Sequence, residues 1–441
     1  MRSRLAGIFL FVFVIFQHFT LVGVGTYELT LGTTSGLLLL FLLLRSTAYV
    51  ATTVTWCVLI ILSGAAVLFS GYTAGSAYAT TAMLFLLSSA IVCSAFGAIR
   101  YQIVQSAAFK NAALLALIVV VGLSVLQVVF ARLGSASFFN IFGTRQYYHE
   151  YNHLVGLVDF PRAQGFYLEP SYNAFVIGSI GVFLLTIRWR RKATLALVLT
   201  GIIASQSATA IILILGFLAI AVMKASVRVR LLALVATALL AVFSGTYLLI
   251  RVATITTEGS SAYYRILAPI EVMIDVLTYS PAGKPFGSVE ETITGYNLFM
   301  AGIPATSLDN GFYVLIFYFG WAGIIAISAL GLLVARAVFR KTEPADGMWI
   351  ATTWLFGSLF FSGAIMTPEF GIITAVIIIA IRTERSDDRI GLHCATNTVH
   401  RHGDFSGSFR SCQNSGFPAA THQEILKPRR ESRDRRWHAT R

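Results

Sequence analysis

The chain has 441 residues, of which 56% are hydrophobic and only 12% are charged, whereas a soluble domain carries about 25% charged residues. This composition excludes a water-soluble globular protein and predicts an all-α polytopic membrane protein. The formal net charge of +13 is explained by basic residues retained on the cytoplasmic side of a membrane, and not by nucleic-acid binding. The four cysteines form neither a disulfide framework nor a zinc pattern, so no metal site is expected.

Twelve apolar segments follow one another along the chain, and each predicts a helix that spans the membrane. In chain order they are 5–25, 30–44, 47–70, 79–99, 112–132, 174–187, 193–204, 208–223, 231–250, 311–335, 347–366 and 370–381. The segments 193–204 and 208–223 are short and meet at the polar break 205–207. They predict a hairpin that crosses the bilayer only in part, or that tilts into a protein-lined cavity.

The lysines and arginines orient these segments. With the N-terminus in the cytoplasm, all but six of the 33 basic residues fall on the cytoplasmic side, as the positive-inside rule expects. Both termini are then cytoplasmic, and two long loops, 133–173 and 251–310, lie outside. The six exceptions lie in these loops or at their edges: Arg132, Arg145, Arg162, Arg251, Arg265 and Lys284.

The sequence divides into a transmembrane part, residues 1–381, and a tail, residues 382–441. The tail is rich in Arg, Ser and His and has no periodicity, which predicts a basic, disordered cytoplasmic segment. Within the second loop, apolar residues at helical spacing predict an amphipathic helix that lies on the membrane surface or over a cavity. These residues are Leu267, Ile270, Ile274 and Leu277.

The densest polar stretch beside a predicted span is the end of the first loop, residues 159–173. Arg162 lies near the start of a helix that Pro170 is suited to open, and an anion is favoured at such a helix start. Pairing with a neighbouring carboxylate or with lipid phosphate explains Arg162 equally well. Glu169 is either a functional carboxylate or a residue that complements the helix dipole.

Arg265 follows Tyr263 and Tyr264 in the second loop. An arginine beside two tyrosines is suited to hold a phosphate bidentately while the rings stack on a sugar. The alternative is an interfacial aromatic belt with a snorkelling arginine. Arg251 ends a predicted span, where anchoring is the simpler explanation. Lys284 lies in a turn-rich loop, where its charge contacts either phosphate or only solvent.

Asp309 and Asn310 directly precede the tenth predicted span. An aspartate at a helix start is usually a cap, and the alternative is a base that accepts a proton from a sugar hydroxyl. The sequence has no nucleotide-binding loop and no nucleophile elbow. Any reaction must therefore use a substrate that is already activated.

The order and spacing of several short motifs resemble the bacterial O-antigen polymerase and ligase superfamily over roughly 150–335. The motifs are Arg162 through Phe166 with Glu169-Pro170-Ser171, the break Ser205-Gln206-Ser207, the segment Ser260 through Arg265, and Asp309 through Phe312 leading to Gly320 through Gly323. The Arg and Glu-Pro-Ser pattern is most similar to polymerases of exopolysaccharide repeat units, of the xanthan or succinoglycan type. Ligases of this superfamily typically carry a histidine where this chain has Asp309.

This resemblance implies a fold similar to the GT-C glycosyltransferases, in the bacterial inner membrane, with a periplasmic active site. It implies a polymerase that transfers a growing glycan from undecaprenyl pyrophosphate onto the next lipid-linked repeat unit, with inversion and without a metal or other cofactor. A co-polymerase that sets chain length is an expected partner. Two alternatives stay open: a ligase that moves finished glycan to an acceptor, and a flippase or transporter of lipid-linked glycan.

The resemblance also implies roles for single residues. Arg162 and Arg265 would bind the pyrophosphate, and Glu169 or Asp309 would orient or deprotonate the acceptor hydroxyl. The other expected substrate contacts are Tyr167, Arg251, Tyr263, Tyr264, Lys284 and Asn310. Asp309 argues against a ligase, and the scarcity of charges within the spans argues against a transporter.

Overall fold

A computed structural model shows a mostly helical chain. The residues it describes are 1–24, 27–44, 49–70, 76–134, 162–207, scattered positions between 210 and 238, 256–258, 261–296, 298–300, 303–304, 307–339, 347–360 and 363–399. The helices of this part are α1 Arg2–Ile15, α2 Leu31–Leu43, α3 Tyr49–Ser70, α4 Ser76–Ser94, α5 Tyr101–Gln105, α6 Ala107–Arg132, α7 Pro170–Thr186, α8 Arg191–Ser205, α9 Ser261–Ile266, α10 Pro269–Tyr279, α11 Val289–Thr294, α12 Gly311–Phe339, α13 Gly347–Ser358 and α14 Pro368–Val399.

Two of the described helices, α6 and α12, are long and apolar enough to cross a membrane. Shorter apolar helices are α2, α7 and the stretches Val54–Leu68 and Tyr78–Ser94. Two short antiparallel hairpins, which were not predicted, pair β1 (Thr20–Val24) with β2 (Tyr27–Thr30) and β3 (Phe299–Met300) with β4 (Ile303–Pro304). The fold therefore agrees with an all-α membrane protein in outline, while the number of spans stays a prediction.

The first predicted span, 5–25, is wrong in its extent, because α1 ends at Ile15 and the β1–β2 hairpin follows. The helix ends at a polar pair, Gln17 and His18, whose side chains hydrogen-bond to the segment around the start of α7. A hydropathy window averages over such a pair and continues the helix through it. The C-terminal end of α1 is therefore followed by a polar turn that contacts another part of the chain.

Apolar side chains pack into two clusters. The larger cluster joins α1, α2, α6, α7, α8, α13 and α14. The smaller cluster joins α9, α10, α11 and the first half of α12 to Phe85 of α4. In the larger cluster α2 meets α14 at a buried polar contact, where the hydroxyl of Thr33 donates to the carboxylate of Glu369.

The amphipathic helix predicted in the second loop is present as α10, but a different face is buried. Val272, Met273 and Val276 pack into the smaller cluster, whereas Ile270 is 41% exposed and Ile274 is 58% exposed. The helix carries two adjacent apolar stripes, and periodicity alone cannot decide which of them faces the protein.

The tenth predicted span, 311–335, is interrupted, because α12 breaks at Gly320, where φ is 53° and ψ is −127°. The turn after α10 fills the break. The backbone N–H of Lys284 donates to the Phe317 carbonyl at 2.7 Å, and the N–H of Trp321 donates to the Pro281 carbonyl at 3.1 Å. Irregular backbone within a helix that spans a membrane is tolerated when protein satisfies its polar groups. Residues 321–339 are about 28 Å long at a helical rise of 1.5 Å, enough to cross the hydrocarbon core without the first half.

Gly320→Ala should lower the melting temperature of the detergent-solubilised protein. The sparsely populated backbone conformation of Gly320 costs an L-residue about 1–3 kcal/mol, and the added Cβ would lie 2.1 Å from the Pro281 carbonyl oxygen. The matched control is Gly331→Ala in the same helix, where the nearest atoms to an added Cβ are 3.9 Å away. Equal melting temperatures for the two variants would contradict this account of the break.

The last described helix, Pro368–Val399, continues beyond the predicted end of the twelfth span. Its polar side chains find partners there: Arg382 donates to backbone carbonyls in the turn after α4, and the buried carboxylate of Glu384 pairs with Arg188 at 3.1 Å. These contacts let the helix continue where the sequence turns polar. Residues 400–441, the rest of the predicted tail, lie outside the described residues.

Candidate functional site

Three of the four predicted catalytic residues meet at one point. Nη2 of Arg265 lies 3.6 Å from Oε2 of Glu169 and 3.4 Å from Oδ2 of Asp309. The two carboxylate oxygens are therefore at most about 7 Å apart. Glu169 opens α7 in the larger cluster, while Arg265 on α9 and Asp309 before α12 belong to elements of the smaller one. The ion pairs thus join the two parts of the fold.

Asn310, rather than Asp309, caps the start of α12. Its buried side-chain Oδ1 accepts from the Phe312 backbone N–H at 3.0 Å, and its Nδ2 donates to the Arg265 carbonyl at 3.1 Å. Both polar atoms of this side chain bind backbone, and its predicted contact with substrate stays a prediction. Asp309 faces Arg265 and does not cap α12, so the capping interpretation of Asp309 is wrong.

The two carboxylates differ in what holds them. Asp309 is engaged at both oxygens, since Oδ1 accepts from the Ser307 hydroxyl at 3.3 Å and Oδ2 faces Arg265. Glu169 is held at Oε2 alone, which accepts from the Ser171 hydroxyl at 2.8 Å and faces Arg265. Within the described ranges nothing donates to Oε1 of Glu169, and its side chain is 43% exposed, against 20% for Asp309 and 19% for Arg265.

Arg162 begins a short segment that ends at Glu169, and residues 162–169 are named the strap below. The strap lies against the C-terminal part of α6, the N-terminal end of α7 and the C-terminal end of α8. The Ala163 N–H donates to the Ala204 carbonyl at 3.0 Å, and Nδ2 of Asn173 donates to the Ala163 carbonyl at 3.2 Å. The sequence indicated that Arg162 and Glu169 lie close in one segment, and the structure shows which helices hold it.

Two predicted sugar contacts are corrected, because the rings of Tyr167 and Tyr264 are buried. The Tyr167 hydroxyl donates to the Val14 carbonyl at 2.6 Å, and the Tyr264 hydroxyl donates to the Ser307 carbonyl. Burial, with the Asp309 charge nearby, raises the pKa of Tyr264 well above its ordinary value, so this hydroxyl stays a donor. Neither ring leaves a face open for a sugar.

The remaining predicted contacts lie elsewhere. Tyr263 is half-buried and packs against the smaller cluster. Lys284 is bound through its backbone to Phe317, which lies about 9 Å along the axis of α12 from the first residue of that helix, Gly311. Arg251 lies outside the described residues. The structure therefore brings Arg265, Glu169 and Asp309 together and places Lys284 apart from them.

His18 is a site neighbour that the sequence did not indicate, because it lies inside an apolar segment. Its Nδ1 accepts the backbone N–H of Leu168 at 2.9 Å, directly before Glu169. An imidazole nitrogen that accepts a hydrogen bond carries no proton, and burial lowers the pKa of His18 to about 4. A neutral histidine in the turn after α1 thus holds the C-terminal end of the strap.

The folded protein should lose stability as the pH falls from about 6.5, the ordinary histidine pKa, towards the lowered value of about 4. In that window the unfolded chain binds a proton at His18 that the folded chain does not bind. His18→Asn places an acceptor near the position of Nδ1 but does not titrate, so its melting temperature should fall less over the same window. Parallel falls in both proteins would show that His18 is not responsible.

Comparison with known proteins identifies the family. Residues 5–383 match the family described as WcaD colanic acid polymerase. The chain is also 28% identical over 224 residues to an Escherichia coli (strain K12) protein named "Putative colanic acid polymerase", a match that covers 48% of this chain and 55% of that relative. The matched part thus spans about half the length of the relative. The predicted resemblance to exopolysaccharide repeat-unit polymerases is confirmed, and the chain belongs to the WcaD colanic acid polymerase family.

Proposed function

We propose that the chain is a polysaccharide polymerase, a glycosyltransferase that acts at the periplasmic face of the bacterial inner membrane. It transfers a growing glycan from undecaprenyl pyrophosphate onto the next lipid-linked repeat unit. The observation that carries the proposal is the position of Arg265 between Glu169 and Asp309. A cation that binds phosphate stands there beside a carboxylate that can take a proton. Family membership supports the class of reaction.

Arg265, with Arg162, binds the pyrophosphate of the donor. When the bond between the anomeric carbon and the pyrophosphate oxygen breaks, the electron pair and the negative charge move onto the pyrophosphate. The Arg265 guanidinium is mostly buried and is held by two carboxylates, so it stabilises this charge with little reorganisation. Removal of one such donor typically lowers kcat by about 10²- to 10³-fold.

Glu169 takes the proton of the acceptor hydroxyl. Its Oε1 is open, whereas both oxygens of Asp309 are engaged within the part of the chain that the structure describes. The acceptor oxygen then bonds to the anomeric carbon on the face opposite the departing pyrophosphate, which inverts that centre. Asp309 orients Arg265. Because pyrophosphate is already a good leaving group, the step needs no metal. The partners are the bilayer, the lipid-linked oligosaccharide and, by resemblance, a chain-length co-polymerase.

The test is a deletion strain whose polymer is analysed on gels and whose lipid extract is analysed for carrier-linked glycan. We expect single repeat units to accumulate on the carrier, and the wild-type gene to restore polymer. Glu169→Gln should fail to restore it at an equal protein level, and Asp309→Asn should restore it in part. Polymer of normal length on the carrier would instead identify a ligase. Repeat units confined to the cytoplasmic leaflet would identify a flippase.

A further inference from the structure

Gln127 places a polar side chain inside α6, a helix that is otherwise apolar around it. Its side-chain amide makes three hydrogen bonds to the strap. Its Oε1 accepts from the backbone N–H of Gln164 at 3.1 Å and from that of Gly165 at 2.7 Å, and its Nε2 donates to the Gly165 carbonyl at 3.1 Å. One amide side chain thus satisfies three backbone groups of two consecutive residues.

The backbone of the strap is shaped for this contact. Gly165 has a φ of 61°, and a left-handed residue of this kind turns consecutive N–H groups towards one point, which forms a concave site for an oxygen atom. The oxygen found there is Oε1 of Gln127. A carboxylate would suit the two N–H groups equally, but only an amide also donates to the Gly165 carbonyl.

The strap has little conformational freedom between Gly165, which Gln127 holds, and Glu169. Leu168 is fixed by His18, and Tyr167 is buried with its hydroxyl bonded to backbone. Between Gly165 and Leu168 only two residues intervene, so a displacement at Gly165 has few single bonds over which to relax. A misplacement of about 1 Å in a catalytic constellation can cost about 10²-fold in rate.

We infer that Gln127 is a positioning residue for the transfer reaction. It touches no substrate, and it fixes the strap that carries Arg162 at one end and Glu169 at the other. It thereby sets where the second phosphate-binding guanidinium and the proton-accepting carboxylate stand relative to Arg265. This inference rests on the proposed function.

Two variants of the full-length protein separate positioning from folding. Gln127→Met keeps the length of the side chain and removes all three hydrogen bonds. Gln127→Glu keeps an acceptor for both N–H groups and loses the donor. Initial rates are measured on lipid-linked repeat units and divided by the fraction of protein that is monodisperse on size-exclusion chromatography. On this basis Gln127→Met should lower kcat about 100-fold with little change in KM. Gln127→Glu should retain more activity, and its rate relative to wild type should rise as the pH falls, because a protonated carboxyl regains the donor.

Hydrogen exchange gives a readout that does not depend on activity. The peptide that contains residues 162–169 should exchange faster in Gln127→Met than in wild type. Unchanged kcat per folded protein, or unchanged exchange, would overturn the inference. If the wild-type protein forms no polymer in this assay, the proposed function is overturned. If Gln127→Met nevertheless exchanges faster than wild type, the role of Gln127 in anchoring the strap still stands.

Discussion

Arg265→Ala should abolish polymer formation while the protein remains in the membrane at its normal level. The change removes the cation that lies between Glu169 and Asp309, whose oxygens are at most about 7 Å apart. In the proposed mechanism it also removes a donor to the departing pyrophosphate. Loss of such a donor alone costs about 10²- to 10³-fold in kcat. Arg265→Lys should be intermediate, because an ammonium keeps the charge but lacks the planar guanidinium fork that binds a phosphate bidentately.

The matched control is Arg132→Ala. Arg132 is another arginine that the sequence predicts to be external, but it is exposed in the last turn of α6 and takes no part in the ion pairs of the site. Polymer on gels, carrier-linked glycan in lipid extracts and the membrane level of each protein should be measured together. Normal polymer from Arg265→Ala at an equal protein level would refute the assignment of the site.

Gly165→Ala should lower both the activity per folded protein and the melting temperature. The left-handed φ of 61° costs an alanine about 1–2 kcal/mol, and its Cβ would lie 2.5 Å from Oδ1 of Asn173. Asn173 cannot move aside without losing its bonds to the Ala163 carbonyl and to the hydroxyls of Ser124 and Ser205. The strap itself must shift, and we expect at least a tenfold loss of rate, since small misplacements of catalytic groups cost about that much or more.

Gly122→Ala in α6 is the control for this substitution, because an added Cβ there meets nothing within 4 Å. Alanine is favoured over glycine in a helix by about 0.5–1 kcal/mol, so this variant should melt at the same temperature as wild type or slightly higher. A Gly165→Ala protein that matches Gly122→Ala in rate and melting temperature would show that the strap tolerates displacement.

The charged residues of the site could be predicted because a membrane protein keeps few charges, and those outside the spans form a short list. Arg265, Glu169 and Asp309 were all on that list. The sequence could not distinguish capping from pairing at Asp309, since the two neighbouring residues Asp309 and Asn310 can both cap. The hydrogen bond from the Phe312 backbone N–H to Oδ1 of Asn310 identifies Asn310 as the cap, while Asp309 pairs with Arg265.

The parts that the sequence missed depend on contacts far apart in the chain. His18 and Gln127 lie in segments that are apolar on average, so a hydropathy window gives them little weight. Their partners, Leu168 and Gly165, lie 150 and 38 positions away. The break at Gly320 likewise depends on a turn supplied by residues after α10. The local sequence pattern predicts the helices and the positions of the charged residues. Contacts between residues far apart in the chain determine which polar side chains hold other segments in place.

The contact between Thr33 and Glu369 has a consequence for the order of synthesis. The two residues are 336 positions apart, so at about 5–20 residues per second the ribosome delivers Glu369 roughly 20–70 s after Thr33. During that interval α1 and α2 are synthesised, but α14, which completes the apolar cluster around them, is not. Glu169 stands on the same core, so a nascent chain holds the segments of the site before it holds the support on which the site is built.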